Sequence, residues 1–137
     1  MTTHKVIGHN TARAEGPAKV TGQGKYGIDA LLPDTLWCKI LRSPFPHARI
    51  VSIDTSEALK LPGVKAVITG KDIEGLLTGR SAYKDEPVIA WDRVRYVGDK
   101  VAAVAAEDED TAEQALSLIH VEYEQLAPVL TPEEALL

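Results

Sequence analysis

Cysteine is nearly missing from this chain: Cys38 is the only one in 137 residues. That excludes an intrachain disulfide and any multi-cysteine metal motif, and makes a reducing compartment the default setting. Its place in an alternating apolar/polar stretch predicts a buried thiol. Long apolar runs are missing too. Neither the opening MTTHKVIGHN nor any later segment has a signal-peptide core or a membrane-length stretch, so a soluble, cytoplasmic protein is expected. Positive charge is scarce: 15 Lys and Arg stand against 20 Asp and Glu, a formal charge of -5, with no dense basic cluster to neutralise phosphates. Nucleic acid is therefore not expected as a partner. No repeat of fixed period and no low-complexity tract occurs.

Several chemistries fall away on motif grounds. The four histidines, His4, His9, His47 and His120, form neither an HExxH pattern nor a helical ligand pair, so a zinc site is not expected. Gly22-Gln23-Gly24 with Gly27 matches GxGxxG, but no apolar strand precedes it and no long helix follows, so the βα context of a dinucleotide site is missing. Gly70-Lys71 lacks the upstream glycine of a phosphate loop. None of Ser43, Ser52, Ser56, Ser81 and Ser117 lies in a GxSxG elbow. The acidic groups Asp85-Glu86, Glu107–Asp110 and Glu122 with Glu124 could pair as carboxylates. A solvated loop, a helix cap and a wet strand face are the more ordinary explanations, since residues two apart share a strand face.

What is present is alternation. At this length a domain buries roughly two-thirds of its unfolded surface, enough for one core. Residues 1–23 lack periodicity and predict an extended lead, with the domain proper at 24–137. Leu36–Arg42 and Ala48–Asp54 alternate apolar and polar residues, and the insert Ser43-Pro44-Phe45-Pro46-His47 blocks ladder bonding between them. Together they predict a two-stranded ribbon with a stiff projecting turn. Asp54 or Thr55 can cap a short helix ended by Pro62-Gly63, Val64–Thr69 predicts a central strand, and Gly70-Lys71-Asp72 a brief helical turn. Residues 74–87 predict a long surface loop, and Val88–Trp91 and Val94–Val97 short strands. Val101–Ala106 has side chains small enough for a strand under a helix, which Ala112, Ala115, Leu116 and Ile119 place at about 108–120. Val121–Glu124 closes the domain. Thr131-Pro132-Glu133-Glu134 then announces another helix with a capping box, of which three residues follow, so more chain or a partner is expected beyond it.

The turn offers the best functional side chains. His47, beside Arg49 and near Arg42, could bond a partner or an anion, or sit as a corner histidine bonded to backbone. Arg42 and Arg49 could be interface anchors or strand-edge charges.

The segments LRSPFPHARIVSIDTSEALKLPGVKAVITGKDI, KVTGQGKY with Asp29, DEPVIAWDRVRYVGDKVAAVAAEDEDTAEQAL and IHVEYEQLAPVLTPEEAL together span most of the chain. They resemble the molybdenum-binding large subunits of the xanthine dehydrogenase and aldehyde oxidase family, from about Gly8 to Leu136. The opening VIGHNTARAEGPAKVTG is also similar to large subunits of the 4-hydroxybenzoyl-CoA reductase branch. The resemblance implies an α+β fold, the α/β hammerhead domain, with a mixed sheet, a few short helices and one longer helix, packed on molybdopterin-binding domains. It also implies an oxidoreductase assembly that hydroxylates aldehydes, N-heterocycles or aromatic thioesters with water as oxygen source. Such assemblies use molybdopterin with molybdenum, iron-sulfur clusters and usually FAD, on iron-sulfur and flavin subunits. In the family, a glutamate base and glycine-rich cofactor segments lie downstream of this domain, and nothing here matches them. No catalytic, cofactor-binding or metal residue is therefore carried over. The family's SPHPHA turn reads SPFPHA here and its VGEP reads Val97-Gly98-Asp99-Lys100. These departures count against a substrate-side role for either turn, and Arg42, Phe45, His47, Arg49, Gly98 and Asp99 are expected instead as domain-interface residues.

Three functions follow. A component or split subunit of a molybdenum hydroxylase leads. A free-standing, non-catalytic binding or scaffold module is the alternative, and dye binding by exposed apolar residues would argue against it. The third is a small cofactor-free enzyme using His47 or a carboxylate pair, which full activity of His47→Ala would sink in its histidine form.

Overall fold

Antiparallel pairing organises most of the backbone in the computed structural model, which describes residues 7–30, 32–79 and 83–136. The chain divides into two units, Met1–Pro33 and Asp34–Leu137. In the first, residues expected to run extended include a short helix, α1 (Gly16–Val20), opened by Pro17 near its start. Thr21 Oγ1 donates to Pro17 O at 2.7 Å, and the amides of Gln23 and Gly24 both reach Ala18 O at 2.8 Å. A 3-10 turn at Gly27–Asp29 follows, where Asp29 accepts from Tyr26 N at 2.8 Å. Neither helical turn contains a buried residue.

The second unit holds two three-stranded sheets. Its elements are β1 (Trp37–Arg42), β2 (Ala48–Asp54), α2 (Ser56–Lys60), β3 (Val64–Thr69), a 3-10 turn (Gly70–Ile73), β4 (Leu77–Thr78) and β5 (Glu86–Pro87). Then come β6 (Arg93–Val94), β7 (Lys100–Ala106), α3 (Glu109–Ser117), β8 (His120–Gln125) and α4 (Pro132–Ala135). The strand orders are β1-β7-β3 and β6-β2-β8, with β4 and β5 as a minimal pair. This is the expected mixture of sheet and short helices.

Several expectations need correction, among them the strand at Val94–Val97, which is only Arg93–Val94. The strands at 37–42 and 48–54 form, but β1 pairs with β7 and β2 with β6 and β8, so they are not a ribbon. A tight hairpin needs a turn with positive φ at its centre, supplied by Gly or Asn; Pro44 and Pro46 supply neither, and the insert becomes a corner between two sheets. Val64–Thr69 is an edge strand, because the alanine-rich β7 takes the centre. Within the loop at 74–87, β4 and β5 pair through Leu77↔Pro87 and Thr78↔Glu86, while residues 80–82 lie outside the described residues. Val88–Trp91 is not a strand: Ile89 and Ala90 are buried, and Ala90 N donates to Lys100 O at 2.8 Å.

β7 serves two cores. Its Ala102 and Val104 pack with Ala58 of α2, Ala115 of α3 and Ile119, flanked by Leu41 and Val67. Its Val101 packs instead with Ala48, Ile50, Ala90 and Val94, beside Phe45 and Tyr123. The alanines let α3 approach β7 closely, as the small side chains of this strand predict. Asp108 caps α3, accepting from Thr111 N and Thr111 Oγ1 at 2.7 Å each. The helix ends at Ser117, so His120, expected at its end, begins β8 instead.

Candidate functional site

The corner between β1 and β2 is built from its few available amides. Pro44 and Pro46 donate nothing, so Ser43 N bonds Asp99 O and Gly98 N bonds Ser43 O, both at 2.8 Å. The Ser43 hydroxyl, buried at 2% exposure, accepts from Phe45 N and donates to Phe45 O, each at 3.0 Å. Phe45 then stacks edge-on against Tyr123, with centroids 5.2 Å apart and an interplanar angle of 68°. Such a contact adds about 1 kcal/mol beyond burial alone. Burial pushes the Tyr123 hydroxyl above its ordinary pKa, with Ser43 opposing the shift.

Charged side chains tie the corner to its neighbours. Arg42 Nη1 donates to Gly98 O at 2.9 Å, where Gly98 adopts φ 93°, a conformation that favours glycine. Asp99, 5% exposed, accepts from Arg95 N at 3.1 Å and Lys100 N at 2.9 Å, fixing the turn that meets the corner. His47 Nδ1 lies 2.9 Å from Ala127 O, and Leu126 N donates to His47 O at 3.0 Å. Arg49 is different: it lies in β2 opposite Glu124 of β8, 3.4 Å from its Oε2, on an exposed face. Thus Arg42, Phe45, His47, Gly98 and Asp99 converge, and Arg49 stands apart on the neighbouring sheet face.

A groove of about 490 Å³ opens beside this corner. Its wall includes His47 and Arg95, with Tyr96, Val97, Val129 and Leu130 between 50% and 72% exposed. Desolvation and the Asp99 carboxylate hold the Tyr96 hydroxyl above its ordinary pKa. The sequence pattern gave no sign of this apolar rim: Tyr96-Val97 was expected within a strand that in fact ends at Val94, and Val129-Leu130 follows Pro128 without periodicity. Among the described residues no group of three or more His, Cys, Asp or Glu side chains could hold a metal, and no buried side-chain nitrogen or oxygen lacks a hydrogen bond.

Cys38, expected to be buried, is exposed. In β1 the helix-facing parity belongs to Lys39 and Leu41: Lys39 Nζ pairs with Glu109 of α3 at 2.6 Å, and Leu41 joins the core beneath it. Alternation then turns Cys38 and Ile40 to the opposite face.

A family model for the α/β hammerhead domain of aldehyde oxidase and xanthine dehydrogenase matches residues 21–127. The chain is 52% identical over 124 residues to a probable xanthine dehydrogenase subunit from Bacillus subtilis (strain 168), covering 90% of this chain and 17% of that protein. It is 41% identical to the nicotinate dehydrogenase large molybdopterin subunit of Eubacterium barkeri, over 97% of this chain and 31% of the relative. Among solved structures, quinoline 2-oxidoreductase from Pseudomonas putida 86 superposes with a TM-score of 0.88 at 41% identity, covering 98% of this chain and 18% of that one. The chain thus spans between about a sixth and a third of the length of these proteins.

Proposed function

Because the chain belongs to the aldehyde oxidase and xanthine dehydrogenase family, as its α/β hammerhead domain, we propose that it is a non-catalytic structural domain or split subunit of a molybdenum hydroxylase, packed against molybdopterin-binding domains. The observation that carries this reading is one of proportion. The match runs through nearly all of this chain, yet the chain accounts for only 17% of the Bacillus relative and 18% of the quinoline enzyme. The molybdopterin, iron-sulfur clusters and FAD of the assembly then belong to partner polypeptides or to further chain. Two of the relatives are named for nicotinate and quinoline, which supports an N-heterocycle within the wider range of aldehydes, N-heterocycles and aromatic thioesters. Cys38 as a free thiol supports a reducing, cytoplasmic setting.

In this reading the corner is one contact with the molybdopterin-binding part. Arg42, Phe45, His47, Gly98 and Asp99 hold its shape through their internal bonds, Arg49 adds a contact from the neighbouring sheet face, and the rim of Tyr96, Val97, Val129 and Leu130 supplies apolar surface. Affinity purification of the chain from its native host tests the reading. Co-elution with polypeptides carrying molybdenum and iron-sulfur clusters is expected, and recovery as a stable monomer without them would overturn it.

A further inference from the structure

The face of sheet β1-β7-β3 away from the helices is uncharged, unlike that of a sheet that meets water. An antiparallel sheet with one solvated face turns its polar residues outward. Here α2 and α3 cover one face, and the lysine of β1 points toward them, to Glu109. The other face carries two rungs of uncharged side chains, fixed by the register. One is Ile40, Ala103 and Ile68; the other is Cys38, Ala105 and Ala66. Ile40 is 37% and Ile68 42% exposed, on the two edge strands, with the alanine of β7 between them. Neighbouring strands lie about 4.8 Å apart, so the two isoleucines flank a shallow alanine floor roughly 10 Å across, the diameter of one helix.

We propose that this trough seats an apolar helix of the molybdopterin-binding part of the large subunit. The inference rests on the reading above and adds a second contact, separate from the corner. What identifies the occupant is length together with composition. The proteins that share this domain are about three to six times longer than the region it covers, so the domain has a large partner surface within the same subunit. The trough has no charged side chain with which to select a polar or nucleic-acid ligand, whereas an apolar helix gains by covering two isoleucines and an alanine floor.

The lone cysteine reports on this face. In the complex purified from its native host, N-ethylmaleimide should modify Cys38 more slowly, by about tenfold or more, than a thiol introduced by Ser52→Cys on the polar face of the other sheet, because covering limits access to the sulfur. A photoactivatable cross-linker attached to Cys38 should capture a peptide of the molybdopterin-binding polypeptide. Ile40→Asp should uncover Cys38, raising its modification rate about tenfold or more toward that of the introduced thiol, while Ile40→Val leaves it slow. Equal modification at the two positions, cross-links to a second copy of this chain, or unchanged slow modification of Cys38 in a folded Ile40→Asp chain would each overturn the proposal. If Ile40→Asp does not fold, the modification rates decide. Recovery of the chain without any molybdopterin-binding partner would overturn the proposed function and this inference together; a complex in which Cys38 reacts freely would overturn the inference alone.

Discussion

The two sheets of the second unit have the same strand number and the same antiparallel pairing, yet their outward faces are opposites. On β6-β2-β8 the outer side chains include Arg49 paired with Glu124, and Ser52 donating to Glu122 at 3.2 Å. On β1-β7-β3 they are Cys38, Ile40, Ala66, Ile68, Ala103 and Ala105. Both alternate with period two, so local pattern alone establishes strands in each. What differs is which phase of the alternation is covered. In β1 the charged phase is, because Lys39 finds Glu109 and Glu113 at 2.6 and 3.6 Å on the helix. One outer face carries paired charges beside the exposed Val51, and the other carries none.

The largest change expected comes at the joint between these sheets. Gly70 follows β3, and a Cβ built there would stand 2.1 Å from Ala90 O and 2.6 Å from Trp91 Cα, both rigid backbone. The segment it touches links the sheets, through Ala90 N to Lys100 O of β7 at 2.8 Å and Ile50 N of β2 to Asp92 O at 2.9 Å. Gly70→Ala must displace that segment, and overpacking of this kind costs about 3 kcal/mol. Urea unfolding should show a much lower midpoint, and an unchanged midpoint would mean that the sheets are not joined here.

Next in size is a contrast between the two faces of one sheet. Val104 is fully buried beneath α3, so Val104→Ala should cost about 2 kcal/mol through lost packing and a residual cavity. Ile40→Thr, one strand away on the bare face, keeps the β-branch and should cost under about 1 kcal/mol in the isolated chain. Equal costs in denaturant titrations would show that something already covers the bare face.

How much of this was legible in the sequence follows from the range of each interaction. β7 under α3, a helix cap within Glu107–Asp110 and the wet phase of Glu122 and Glu124 are local patterns, and the structure repeats them, with Asp108 as the cap. The partners of β1 and β2 were not local. A five-residue insert between two alternating stretches reads as a hairpin, and only the competing match to β7 and β8 shows otherwise. Cys38 was misplaced for a related reason: alternation tells which residues share a face but not which face is covered, and in Cys38-Lys39-Ile40 the polar residue took the covered side. The family was legible because the motifs extend over the whole chain. The groove rim was not, because Tyr96, Val97, Val129 and Leu130 come from segments that meet only in the folded unit.

A smaller effect should appear in acid on the covered side of the first sheet. Asp108 is held below its ordinary pKa of 3.8, first by the amide of Thr111 and then by its hydroxyl. A depressed folded pKa means that the cap contributes fully above the unfolded value and is lost as pH falls from there through the folded value. Stability measured between about pH 5 and pH 2 should fall more steeply in the native chain than in Asp108→Asn, which keeps a capping acceptor without its titration. Identical slopes would mean that the cap does not hold α3 over the sheet.

The smallest effect is expected on the polar sheet, and its smallness is the point. Arg49 and Glu124 are paired across β2 and β8 with both side chains more than half exposed, at 63% and 55%. Such pairs trade Coulomb attraction in high dielectric against side-chain ordering, so Arg49→Ala should change stability by under about 0.5 kcal/mol, and less in high salt. A larger loss in the isolated chain would show that this face depends on its charge network in the way the other sheet depends on α3. A negligible loss in the chain combined with weakened assembly would instead move Arg49 from a solvated face to an interface, and the polar sheet would then share the docking role assigned to the apolar one.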